Sequence, residues 1–577
     1  MRWIWFLTFA ALGVTAVLFG LLVPAHLRAV DVTVLHRAGI NTPDLVAQAL
    51  ALVAERNLGA AQLLQLAAQK QNLWGREKLD VAVGDLAQAQ PVLQRWGSQP
   101  YGRVSAIWSS AATTSSPEQG PATSEPLTDF LARSANRRQV LDLIESSPNP
   151  VVQELFKLRS RTNTVVFSPS QSSAGQALDV AICVCGLLLE AGHLNPKTSR
   201  EVFSMSADAN RGGDSMNLEQ TLLSFLSLGQ RLNWGQLVVF VANIEDAETL
   251  RRLAELARRA NDRLPVLFAA VLMSEQPAAV AEYLMKFSET GLADLGSSLR
   301  FGTGGVRELL RRKQQLYEFK PRLFALGYDP FGSFIEYAAS LDLRTHWLAL
   351  PLKWVLYLVS GFFVSMAINF KPKPTEELAG LPNTPRFHLL REFLFALGFL
   401  LVVLLASEPF LAQGSQKMEL PFRVRLPTVG GVIPVAITSA PASLMNQVSL
   451  LTLLLFFVIQ ALIYTACRIK LAEIRRQQLP PRIKLKLLEN EDHLFDAGIY
   501  LGFVGTIISL ILVSLGIIKP SLMAAYSSTS FGIIFVSAFK IFSLRPLRRK
   551  LLLEAEAEGD PSVLDPSDAT NSSVLSP

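Results

Sequence analysis

The sequence predicts an all-α, polytopic membrane protein with about six transmembrane helices and a large extracytoplasmic domain of helical-repeat character. Three observations carry this expectation. Long apolar runs recur along the chain, lysines and arginines collect beside them, and a long series of short helix patterns separates the first run from the second. Half of the 577 residues are hydrophobic and the mean hydropathy is +0.30, high for a chain that lives only in water.

A helix of about 20 apolar residues spans the hydrocarbon core because every backbone N–H and C=O finds its partner within the segment. Six stretches meet that condition: Ile4–Val23, Trp347–Phe370, Glu392–Ala412, Val448–Cys467, Leu494–Ile518 and Leu522–Phe542. The formal net charge of +6 raises the question of nucleic acid, but the cations flank the spans, where they set orientation by preferring the cytoplasmic side. No nucleic-acid partner is expected.

Arg468, Lys470, Arg475, Arg476, Arg482, Lys484 and Lys486 follow the fourth span, and Arg545, Arg548, Arg549 and Lys550 follow the sixth. Both segments are therefore expected in the cytoplasm, with both termini on the same side and the region between the first two spans outside. The expected location is a bacterial inner membrane. The first span, with Val23-Pro24-Ala25 after it, resembles a secretory signal but is long for one, and reads as an uncleaved anchor.

The chain then divides into a signal-anchor helix (1–25), an extracytoplasmic helical segment (26–108), a flexible linker (109–126) and an extracytoplasmic helical domain (127–346). Spans two and three (347–412), an outer loop (413–446), spans four to six (447–544) and a basic segment with a disordered tail (545–577) complete it. Thr42–Gln71 is rich in Ala, Leu and Gln, all strong helix formers. Lys78–Trp96 is a second amphipathic stretch. Ser109–Pro126 has too little apolar surface to offset its ordering entropy.

Beyond the linker come helix patterns at Leu127–Glu145, Val151–Leu158, Gln176–Ala191, Leu218–Leu232, Leu237–Asn243, Ala247–Ala260 and Val306–Tyr317. Pro265 and Pro277 sit where proline fits a first helical turn. Short helices with tight connections suggest stacked pairs that share a core. The alternative is an α/β domain, because Thr164–Phe167, Leu237–Val241 and Leu264–Phe268 are β-branched or aromatic runs.

No segment supplies a catalytic signature, and no enzyme activity is expected. Phe301-Gly-Thr-Gly-Gly-Val lacks the Lys-Ser/Thr that completes a phosphate loop and reads as a helix entry. Arg211-Gly-Gly-Asp-Ser is a connector, and Ser172-Ser-Ala-Gly lacks the nucleophile-elbow glycines. Cys183 and Cys185, embedded among aliphatic residues, read as small core side chains; no metal and no cofactor is expected. Lys353, Glu408, Asp496 and Lys540 lie toward span ends, where each reaches the interface by itself, which argues against autonomous transport.

The last two spans carry a stripe of small and hydroxyl residues. Gly498, Gly502, Gly505, Thr506 and Ser509 lie on one; Ser527, Ser528, Thr529, Ser530 and Gly532 lie on the next. The candidate pore or helix-packing residues are Gly502, Gly505, Thr506, Ser509, Thr529 and Gly532. Glycines four and three residues apart allow close helix contact, so packing alone explains the pattern. Tyr500-Leu-Gly-Phe-Val-Gly-Thr-Ile-Ile-Ser-Leu and Ser528-Thr-Ser-Phe-Gly-Ile-Ile-Phe resemble two helices of the MotA/TolQ/ExbB proton-channel family. That resemblance implies pore hydroxyls at Thr506 and Thr529, a homo-oligomer, and a single-span partner bearing a membrane Asp. Otherwise the expected partners are the lipid bilayer and other membrane or periplasmic proteins, which the exported domain would bind as a scaffold or sensor.

Overall fold

The computed structural model describes residues 2–99, 103–105, 107–108, 124–370, 385–410, 447–514 and 522–557. Residues 109–123 of the linker expected at 109–126, the loop at 413–446, the turn Lys519-Pro520 and the tail from 558 lie outside the described residues, while Glu125 near the linker's end is held by Arg95 and Arg133. The chain forms two compact units: Met1–Arg28 together with Thr345–Pro577, and Ala29–Arg344. The two helical segments expected on either side of the linker thus belong to one unit. Their buried side chains join in one core running from Val30 to Ala339.

The first unit opens with α1 (Arg2–Leu22). In the second, β1 (Ala29–Asp31) leads to α2 (Val32–Gly39), α3 (Leu45–Ala54), α4 (Leu58–Lys70), α5 (Arg76–Ala89) and α6 (Pro91–Trp96). Next come α7 (Leu127–Ala132), α8 (Ser134–Glu145), α9 (Pro150–Phe156), α10 (Gln176–Glu190), α11 (Pro196–Asn210) and α12 (Met216–Gly229). The unit closes with α13 (Trp234–Ala242), α14 (Ala247–Ala260), α15 (Leu264–Ser274), α16 (Pro277–Ser298), α17 (Gly302–Arg312), β2 (Gln315–Tyr317), α18 (Lys320–Ala325) and α19 (Phe331–Arg344).

Local chemistry sets these boundaries. The long pattern Thr42–Gln71 is two helices, because Arg56 takes a positive φ of 59° and Asn57 then caps α4 through the backbone N–H of Ala60. Pro91 begins α6 and so divides Lys78–Trp96 in the same way. Asn233 and Gln236 form a reciprocal capping box at the start of α13, and Asp246 caps α14 through Thr249. Pro150, Pro196 and Pro277 occupy first-turn positions, where a missing N–H costs nothing.

The α/β alternative is overturned. Leu237–Val241 lies within α13 and Leu264–Phe268 within α15, while Thr164–Phe167 is irregular. Both helical runs are nearly all apolar and buried, and tertiary packing overrides their β propensity. The described strands are three residues each, β1 pairing in parallel with β2 in the register Ala29 to Gln315. Asp31, at the end of β1, caps α2 through Thr33 and forms a buried ion pair with Arg322. Helices α10, α12, α14 and α16 pack in succession, each against the next.

In the other unit α20 (His346–Phe370), α21 (Pro385–Ser407) and α22 (Gln447–Arg476) are followed by α23 (Pro481–Asn490), α24 (Asp492–Phe495), α25 (Ala497–Ser514), α26 (Leu522–Phe539) and α27 (Arg545–Ala557). A π-helical turn, Lys540–Leu544, joins the last two. The packing sequence is α1 on α20, α20 on α21, α21 on α22, α22 on α26 and α26 on α25. Ser360 donates to the carbonyl of Gly13 at 2.7 Å, fixing α1 against α20.

Among the described residues five helices are long and apolar enough to cross a membrane, the helix content of a multi-pass membrane protein. The expected fifth span is described as α25, whose apolar stretch Ala497–Ile511 is shorter than the other five. Trp5, Val14, Val355, Phe393, Val402, Phe503, Ile508 and Ile534 are exposed on these helices, an outward apolar surface that suits lipid and not water.

Candidate functional site

The hydroxyl and glycine residues expected at the end of the chain converge where α25 packs on α26. The Oγ1 atoms of Thr506 and Thr529 are 2.6 Å apart and hydrogen bonded, and each hydroxyl also lies against the carbonyl of Gly502, at 3.1 and 3.3 Å. Ser509 donates to the carbonyl of Gly505 one turn on. Close approach explains the glycines. A β-carbon at Gly502 would sit 2.8 Å from the carbonyl oxygen of Ser528, one at Gly505 2.5 Å from the Ser528 hydroxyl, and one at Gly532 2.6 Å from the carbonyl oxygen of Gly498. Five of the six candidates therefore meet along one seam, in which Thr506 and Thr529 are bonded, while Ser509 bonds within its own helix.

A third helix enters this seam. The Gln460 side chain, from the middle of the apolar part of α22, is buried and donates to the carbonyl of Gly498 at 3.0 Å. Its Oε1 has no hydrogen-bond partner among the described residues and faces the α-carbon of Gly498, where a β-carbon would come within 2.9 Å. The amide thus needs a glycine opposite it. A polar side chain at this depth is costly unless it is used, so it belongs with the candidate residues. The signal was present in the sequence as a lone glutamine in an apolar run.

A second constellation was missed. Lys353 and Glu408 do not reach the interface separately; they pair at 2.8 Å with both side chains buried. Lys353 also donates to the carbonyl of Ala25 at 2.9 Å and lies 3.2 Å from His26 Nδ1, while Glu408 accepts from the backbone N–H of Leu27 at 2.9 Å. Two side chains 55 residues apart are thereby joined around the segment that follows α1. Each charge compensates the other in a place where neither could stand alone. Sequence distance hid the pair, since neither residue lies near mid-span.

The helical unit holds an open groove of about 680 Å³ between α12, α14 and α16. Leu256, Leu284 and Leu292, with Leu267 of α15, supply its apolar surface, and Arg251, Arg252, Glu248 and Glu255 its polar side. Its wall is shaped by a break in α16, where Ser288 takes φ 49° and ψ −122°. Hydrogen bonds from Arg252 hold the Glu248 carboxyl below the usual carboxylate range, and those from Arg258 do the same for Glu255. Both are charged at neutral pH, so the groove edge alternates positive and negative groups. Sequence periodicity revealed α14 but not the space beside it.

Elsewhere in that unit Glu219, fully buried, accepts from the consecutive backbone N–H groups of Val165, Val166 and Phe167 and from the Ser215 hydroxyl. Cys183 and Cys185 are buried in α10, and burial pushes both thiols up, away from the reactive thiolate. Among the described residues there is no cluster of three His, Cys, Asp or Glu side chains suited to a metal ion. No family model, no curated protein and no solved structure matches this chain.

Proposed function

We propose that the protein is a membrane-anchored scaffold or sensor of a bacterial inner membrane, acting by binding another protein and not by catalysis. The supporting observation is the groove between α12, α14 and α16. It has the apolar floor and charged edge that receive an amphipathic helix, whose leucine-type anchors would enter between Leu256 and Leu284. The succession α10, α12, α14, α16 resembles a helical solenoid, an architecture that exposes extended binding faces. In this reading Ala29–Arg344 is extracytoplasmic, both termini are cytoplasmic and the membrane helices serve as the anchor.

The test is affinity purification of the full chain in mild detergent, comparing wild type with Leu256→Arg and Leu284→Arg. A companion protein recovered at fixed stoichiometry with wild type should fall at least about tenfold with either variant, since a charge in an apolar contact centre costs well over 1.4 kcal/mol. Wild type that carries no stoichiometric companion, or variants that retain it undiminished, would sink the proposal.

One observation favours a second reading, a channel-like stator subunit of the MotA/TolQ/ExbB type. Thr506 and Thr529, the two residues that the resemblance marks as pore hydroxyls, are adjacent across the α25 and α26 seam. Thr506→Val and Thr529→Val keep shape and remove the hydroxyls. On this reading each abolishes ion-driven activity while membrane insertion and yield stay at the wild-type level; unchanged activity in both would remove it.

A further inference from the structure

Beyond the apolar part of the bundle the chain builds a small three-helix projection. The last turns of α22, the helix α23, the end of the π-helical turn and α27 share a core of Leu471, Ile474, Leu488, Leu544 and Leu551. The level at which the apolar spans end is marked by two polar contacts, Arg468 to the Ser543 hydroxyl at 3.1 Å and Lys540 to Asp496 at 2.7 Å. Arg475 lies seven residues beyond Arg468, or about 10 Å along the helix, and Arg545 only two residues beyond Ser543. The projection is therefore within about one Debye length of a lipid headgroup layer.

Its surface is dense in cations. Arg475, Arg476, Arg482, Lys486, Arg545 and Arg549 are all exposed, and none has a carboxylate partner among the described residues. Three neighbouring cations do have carboxylate partners, Lys470 with Glu473 and Glu491, Arg548 with Glu489 and Lys550 with Glu554, which leaves the other six in excess. On the projection like charges stand one turn apart, Arg482 with Lys486 and Arg545 with Arg549, an arrangement that repels unless an anion lies across it. Exposed Ile483 and Leu552 stand beside these cations, offering acyl or glycerol contacts next to the charge.

We propose that this projection is a binding surface for anionic phospholipid headgroups. Proximity to the span ends favours a lipid over a soluble acidic partner, and the loose spread of exposed lysine and arginine side chains suits many mobile phosphates better than one fixed ligand. The surface does more than orient the chain. It makes the stability of the membrane unit depend on leaflet composition.

The experiment uses the full chain in mild detergent micelles doped with phosphatidylglycerol or with phosphatidylcholine, reading the thermal unfolding midpoint and the lipids retained in native mass spectrometry. Phosphatidylglycerol should raise the midpoint and be retained, phosphatidylcholine should do neither, and 0.5 M salt, on the order of three times physiological ionic strength, should erase the difference. The combined variant Arg482→Gln, Lys486→Gln, Arg545→Gln and Arg549→Gln should lower apparent phosphatidylglycerol affinity about tenfold and leave the phosphatidylcholine midpoint unchanged. Equal responses to the two lipids, a variant within twofold of wild type, or an equal midpoint rise with inorganic phosphate or polyphosphate would overturn the proposal. The salt and lipid comparisons on wild type decide the matter should the variant fail to fold.

Discussion

Glu219 shows how much one side chain can organise. Its carboxylate gathers three successive backbone N–H groups at Val165, Val166 and Phe167, tying an irregular stretch to α12. Burial alone would raise its pKa, but the hydrogen bonds from Ser215, Val165, Phe167 and Val166 outweigh it and hold the carboxyl below its usual range. A lowered folded value means that this contribution is complete above the unfolded value of about 4.3 and disappears as pH falls through the folded one. Glu219→Gln should cost about 2 kcal/mol at pH 7. Denaturant titrations between pH 7 and 3.5 should show wild type losing stability in acid faster than the variant; parallel curves would contradict the account. Little of this was legible beforehand, because a glutamate within Met216–Gly229 reads as an ordinary helix surface residue, and its partners are backbone atoms more than fifty residues earlier.

At the scale of elements, helix content was readable wherever alanine and leucine dominate, as in α3, α4 and α14. Ends were less so. Thr42–Gln71 looks continuous because nothing in its composition discloses the positive φ at Arg56. The α25 and α26 seam was legible as a set of residues, through glycine spacing; Gln460 stood out as a lone glutamine in an apolar run, but its partner did not, since an amide in a third helix has no sequence link to Gly498. The seam predicts its own sensitivity. Gly502→Leu and Gly532→Leu place carbons where carbonyl oxygens of Ser528 and Gly498 already lie, and each should cost about 1–3 kcal/mol through forced separation of the helices. Gly84→Leu, at a half-buried position of α5 with nothing within 4 Å of an added β-carbon, serves as the control. Thermal unfolding of the purified variants in one detergent checks this, and equal midpoints for all three would count against tight seam packing.

For the whole molecule, the decisive relation is between the start of the chain and its later helices. Val23, Pro24 and Ala25 carry small-residue spacing that suits a signal-peptide cleavage site, yet all three are buried, and the Ala25 carbonyl accepts from Lys353 while Leu27 donates to Glu408. A protease needs an extended, accessible backbone there, so the first span should remain on the mature protein. N-terminal sequencing of the membrane-extracted chain should find Arg2–Leu22 still attached, and a start at His26 would refute it. Lys353→Met leaves Glu408 charged and buried, and should cost about 3–5 kcal/mol in stability or reduce membrane yield several-fold. Restoring the balance with a second change, Glu408→Gln, should recover part of that loss. None of this could be read from composition, because His26, Lys353 and Glu408 are brought together only when three separate helices pack.

The pairing of α1 with α20 also fixes an order of events during synthesis. Gly13 and Gly20 of α1 fit against Ser360 and Tyr357, residues that the ribosome adds only after more than three hundred others have been made. At about 5–20 residues per second, α1 waits for tens of seconds before its mate emerges. During that interval its notched face touches only lipid or whatever assists insertion, so this helix is the part of the nascent chain most open to capture, degradation or mispairing.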